Sequence, residues 1–120
     1  MRKYADLYNQ KKKTAKGAIE MIQDRDWIFT AQAAAEPVGI LNELQHLKET
    51  GVKDIVFNTC LPMDYPALHD PEMKAVMSHH GWFFSGALRK ERTNKLVSAV
   101  PQCSTTILKK TLDRVKYEGD

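Results

Sequence analysis

Trp27-Ile28-Phe29-Thr30 is a short, continuous apolar run, Asp54-Ile55-Val56-Phe57 reads as the next strand, and residues 31–53 between them carry helix signals. A run of this kind is the signature of a strand covered on both faces, as in a parallel sheet. Residues 31–36 form a small-residue loop, after which Pro37 sits in a first helical turn, where a missing N–H would have lacked a partner anyway. Ile40, Leu41, Leu44 and Leu47 keep one apolar stripe, Glu36 lies near the positive end of the macrodipole, and Gly51 is placed to end the helix in a left-handed cap. Strand, helix and strand over residues 27–57 have about the length that a right-handed crossover needs.

The same alternation continues on both sides. Upstream, Thr14 can cap a short helix in which Ala15, Ala18, Ile19 and Ile22 share a face. Downstream, Pro62 and Pro66 bracket a loop, Pro71 starts a short helix through Met77, and Gly81-Trp82-Phe83-Phe84 reads as a third strand. Leu96-Val97-Ser98-Ala99-Val100 has strand character and Pro101 ends it. Ser104 can cap a last helix with Ile107, Leu108, Thr111, Leu112 and Val115 on one face. Repetition of this unit predicts a doubly wound α/β layer, and a helix followed by a turn normally leads into another strand, so a further strand is expected.

A chain of 120 residues with 42% hydrophobic and 28% charged side chains is bounded to one soluble domain, residues 1–120. The net charge of +3 comes partly from Lys11, Lys12 and Lys13, which read as a solvated helix end. Nucleic-acid binding would need a larger basic face with interleaved aromatics or a known module. Cys60 and Cys103 are too few for a disulfide framework and lack zinc spacing, which suits free thiols in a reducing compartment. With no apolar leader and no stretch of membrane-spanning length, a cytoplasmic protein without membrane contact is expected.

Few residues suggest chemistry. His79 and His80 are adjacent, so they point apart on a strand and make no natural two-ligand site; no metal is expected. His46 and His69 are expected to bond locally. Cys60 ends the second strand, where ligand-contacting groups collect, but has no identifiable base. The loop holding Gln32, Ala33 and Ala34 lets backbone N–H groups approach a ligand, and equally allows close packing of helix on strand. Its alanines are less permissive than glycine, so it is neither a dinucleotide fingerprint nor a P-loop.

Thr14-Ala15 with Ala18 and Ile22, then Asp26-Trp27-Ile28-Phe29-Thr30, Ala35-Glu36-Pro37, and Gly81-Trp82-Phe83 followed by Ser85 occur in an order and spacing that resemble the N-terminal region of the acetyl-CoA hydrolase/transferase family, which includes the 4-hydroxybutyrate and butyrate CoA-transferases. The resemblance implies a three-layer parallel-sheet domain of the CoA-transferase (NagB/RpiA-like) type, here incomplete, with the catalytic second domain absent. It implies CoA as substrate and transfer of CoA between an acyl-CoA and a short carboxylate through a glutamyl-CoA intermediate. The family's glutamate belongs to the second domain, so no catalytic residue is expected in this chain. Gln32, Ala33, Ala34 and Thr59 are expected to line the acyl or carboxylate side of the pocket, and Glu36 and Pro37 to open the helix. A non-catalytic truncated relative, acting as a binding or assembly module, is the alternative. Either way the apolar surface meant for the rest of the fold predicts a homo-oligomer.

Overall fold

The computed structural model describes residues 4–91, 97–102, 109, 112 and 113. After an exposed helix α1 (Ala5–Lys11), the chain forms α2 (Ala15–Ile19) and β1 (Trp27–Phe29). A broken helical stretch follows, with α3 (Val38–Leu41), a 3₁₀ turn at Leu44–His46 and α4 (Leu47–Thr50), and then β2 (Ile55–Thr59). The chain continues through α5 (Pro66–His69), a 3₁₀ turn at Pro71–Ala75, β3 (Met77–Gly81), α6 (Gly86–Lys90) and β4 (Val97–Ala99). The four strands make one parallel sheet in the order β1-β2-β3-β4, which is the α/β architecture expected.

Local signals explain most boundaries. Thr14 Oγ1 accepts the Gly17 N–H at 3.0 Å and so caps α2. Leu41, Leu44 and Leu47 are buried along the broken helix, and Gly51, at φ 81°, ends it in the left-handed conformation. Ile40 does not join this stripe; the helix breaks after Leu41 and leaves Ile40 exposed.

The third strand differs from expectation. It is Met77–Gly81, with both histidines inside it, and Trp82-Phe83-Phe84 is the loop beyond, where Phe83 is 55% exposed. The ladder ends there because the Trp82 and Phe83 N–H groups turn onto the Thr59 and Cys60 carbonyls. The expected short helix through Met77 is the 3₁₀ turn ending at Ala75. Of the helix expected after Ser104, only Lys109, Leu112 and Asp113 are described, all helical; Cys103, Ser104, Ile107, Leu108, Thr111 and Val115 lie outside the described residues.

The strand order never reverses, so crossovers of the usual right hand place their helices on one face. The core agrees with this: Ile55, Phe57 and Met77 point from the sheet into a cluster with Ile19, Leu41, Leu44, Leu47, Leu68, Met73 and Leu88 from the helical layer. The register puts Trp27, Phe29, Val56, Asn58, Ser78 and His80 on the opposite face. There the rings of Trp27 and Phe29 lie 6.4 Å apart, Trp27 and His80 6.5 Å, and Phe29 and Trp82 6.4 Å. Phe29 is 43% exposed on this face, so β1 is not fully covered on both sides as its composition predicts. The order reversal of a doubly wound sheet, and a second helical layer, are not among the described residues.

Candidate carboxyl-edge cleft

In open parallel sheets, ligands bind beyond the carboxyl ends of the strands, where successive loops diverge. A cleft of about 480 Å³ opens at that edge, between residues 61–64 after β2 and Ser85, Gly86, Ala87 and Lys90 after β3. A smaller one of about 240 Å³ lies at the other end, beside Asp54, Lys74 and Ser78. The carboxyl-edge cleft joins apolar walls (Leu61, Pro62, Met63, Ala87) to polar groups (Asp64, Ser85, Lys90), the mixture that small-molecule sites use.

Hydrogen bonds tie the loop after β1 to this cleft. Ala33 N–H donates to the Leu61 carbonyl at 3.0 Å, and Met63 N–H donates to Glu36 Oε2 at 3.0 Å. Gln32, Ala33 and Ala34 therefore stand behind the Leu61 wall, with Gln32 and Ala34 exposed and Ala33 half-buried. Ala33 holds φ 49°, in the left-handed region that alanine disfavours. Pro37 directly precedes α3 as its N-cap, outside the first helical turn, and its carbonyl accepts from Ile40 and Leu41. Glu36 does more than precede a helix. Its buried carboxylate reaches across to the Met63 backbone, and burial raises its pKa against the opposing effect of that N–H bond.

Thr59 is placed differently from the expectation. It is 1% exposed, and its hydroxyl meets His79 Nε2 at 2.8 Å in the core instead of facing the cleft. His79 also packs against the rings of Phe57 and Tyr65, at 5.4 and 6.3 Å. Burial pushes the Tyr65 phenol up, and the Glu36 charge adds to this. Sequence reasoning missed this buried polar cluster because a His-His pair inside a strand carries no apolar signal. His79 and His80 do point to opposite faces.

His69 is the other unforeseen group. It bonds Asp64 and, beyond its own neighbourhood, Glu91, which is 22 residues further along the chain. His46 stays local, 2.9 Å from Glu43 and 3.1 Å from Glu49. Burial raises the Cys60 thiol, which works against a thiolate nucleophile. Among the described residues, no group of three or more His, Cys, Asp or Glu is placed to hold a metal ion, and no helix is long and apolar enough to cross a membrane.

No family model matches the sequence. No curated protein matches it either. The fold is similar to that of RipA from Yersinia pestis, with a TM-score of 0.72 at 17% identity over 98% of this chain. A variant of RipA gives a TM-score of 0.75 at 18% identity, also over 98% of this chain. Each match takes up 28% of the RipA chain, so this chain spans little more than a quarter of the length of the proteins whose fold it shares.

Proposed function

We propose that this chain forms the N-terminal part of a CoA-transferase that moves CoA between an acyl-CoA and a short carboxylate of the acetate, butyrate or 4-hydroxybutyrate class. The observation that carries this reading is the position of the segments that resemble the acetyl-CoA hydrolase/transferase family. Thr30 leaves β1, Ala35-Glu36-Pro37 leads into α3, and Trp82, Phe83 and Ser85 leave β3, so three of the four segments border the carboxyl edge of one sheet. The likeness in fold to RipA supports it.

In this reading a glutamate outside this chain attacks the acyl-CoA carbonyl and forms a mixed anhydride as the CoA thiolate leaves. The thiolate then attacks the glutamyl carbonyl, which gives glutamyl-CoA and the free carboxylate. The chain supplies a wall of the pocket, and the loop of Gln32, Ala33 and Ala34, tied to the Leu61 carbonyl, extends it on the carboxylate side once the rest of the enzyme closes the site. The exposure of Phe29 on the second face of the sheet favours further polypeptide packing there, because parallel sheets are normally covered on both faces. The same face gives a second reading its footing: in a non-catalytic assembly module, another copy of the chain covers it.

The test is a titration of the chain with butyrate, followed on backbone amides, beside an assay of CoA transfer from acetyl-CoA to butyrate. Shifts at Gln32, Ala33 and Ala34 without transfer are expected. Transfer by this chain alone overturns the placing of the nucleophile elsewhere, and shifts confined to other residues overturn the pocket.

A further inference from the structure

Three neighbouring side chains of the core each bury an atom that nothing serves. His79 Nδ1, Tyr65 Oη and Glu36 Oε1 have no hydrogen-bond partner among the described residues. The three residues are 1%, 3% and 7% exposed, so bulk solvent does not reach these atoms from outside. Tyr65 is the common neighbour: its ring centroid lies 6.3 Å from that of His79, and the Glu36 charge acts on its phenol.

Two of the groups cannot turn to satisfy themselves. His79 Nε2 is already held by Thr59 Oγ1 at 2.8 Å, and Glu36 Oε2 already accepts the Met63 N–H at 3.0 Å. Flipping the ring or the carboxylate would give up a bond that exists. A buried polar atom without a partner bears its whole desolvation cost, and three such costs in one place are a large share of the small net stability of a domain.

The missing partner is small, because the three side chains are closed off, and it both donates and accepts. An ionised carboxylate only accepts, a phenol has an O–H to give, and a neutral imidazole nitrogen offers an N–H or a lone pair according to the tautomer. Water meets all three demands, and an internal water makes about three hydrogen bonds to groups that otherwise lack them. A cation fits less well, since no group of three or more His, Cys, Asp or Glu is placed to hold one among the described residues.

We propose that internal water is bound between Tyr65, Glu36 and His79, where it completes the hydrogen bonds of Tyr65 Oη, Glu36 Oε1 and His79 Nδ1. The other oxygen of the same carboxylate holds the Met63 N–H, and Met63 lines the carboxyl-edge cleft, so this water stands one side chain behind the cleft wall. The inference concerns the core of the chain and goes beyond the acyl-CoA reading.

The experiment is oxygen-17 relaxation dispersion of water in a solution of the full chain, which detects water molecules held inside a protein for longer than it takes to tumble. The same measurement is made on Tyr65→Phe, beside urea unfolding of both proteins. The wild-type chain is expected to show a long-lived water component, and Tyr65→Phe to lose amplitude from it and to unfold at a lower urea midpoint, because the water and its other partners lose a bond. A dry phenol gives the opposite sign, since Tyr65→Phe then removes a buried polar group that nothing satisfied and raises the midpoint. No long-lived water in the wild-type chain, an unchanged amplitude in Tyr65→Phe, or a raised midpoint overturns the proposal, and the first of these needs no variant. None of these readouts involves acyl-CoA or a carboxylate substrate, so they fail or succeed separately from the proposed function.

Discussion

His79 Nε2 lies 2.8 Å from Thr59 Oγ1, a bond that crosses from β3 to β2 inside the core. A histidine is thus packed among Phe57 and Tyr65 as a core side chain, in the middle of the sheet. Its charge has no room there, and the consequence is a dependence of stability on acid.

Burial first, and the charge of His80 second, hold His79 down at about 4. Above 6.5 both the folded and the unfolded chain keep it neutral, and its contribution to stability is complete. Between 6.5 and about 4 the unfolded chain takes up a proton that the native state refuses, at a cost of about 3 kcal/mol in total. Urea unfolding at a series of pH values should show this slope, and His79→Gln should flatten it. An equal slope in the variant would remove His79 as the cause.

Glu36 titrates in the opposite sense. Its raised pKa means that the native state takes up this proton at a higher pH than the unfolded chain does, so its ionised form weakens the fold at neutral pH and protonation restores stability as pH falls. Glu36→Gln keeps an oxygen for the Met63 N–H and removes the charge, so the thermal midpoint at neutral pH should rise. Glu36→Ala removes the tether and should lower stability by about 2 kcal/mol. Equal midpoints for the two variants would show that the tether contributes nothing.

Gly81 marks where α6 crosses the end of β3. A Cβ built there would stand 2.4 Å from Leu88 Cδ1, and Leu88 is fully buried, with little space to retreat. Gly81→Ala should cost about 2 kcal/mol by overpacking. Combined with Leu88→Ala it should cost much less than the sum of the single changes. Strict additivity in denaturant melts would contradict the close approach.

Ala33 holds a left-handed backbone that costs an L-residue about 1 kcal/mol or more. Ala33→Gly removes this strain and frees the unfolded chain, and should leave a net gain of about 0.5 kcal/mol. A loss of stability on calorimetry would mean that the Ala33 methyl packs usefully against the loop after β2.

The parallel sheet was legible because Trp27-Ile28-Phe29 and Ile55-Val56-Phe57 are apolar without interruption, and the helix between them carries Pro37 and Gly51 at its ends. Met77–Gly81 was not, since Ser78 and the two histidines break the apolar pattern while the run Trp82-Phe83-Phe84 next to it imitates a strand. Hydrogen bonding, which hydropathy does not record, decides between the two. The same blindness hid the site: Thr59 reads as a pocket residue until its hydroxyl is seen on His79, and His69 reads as local until the fold brings Glu91 to it.

The unreversed strand order bears on how the chain acquires its shape. Each strand pairs with the one made just before it, so every new segment leaving a ribosome finds its template already laid down. Growth can proceed by accretion from one side, with no strand waiting for a distant partner. β4 is then the newest edge, and its backbone is the first that a later-arriving strand would meet.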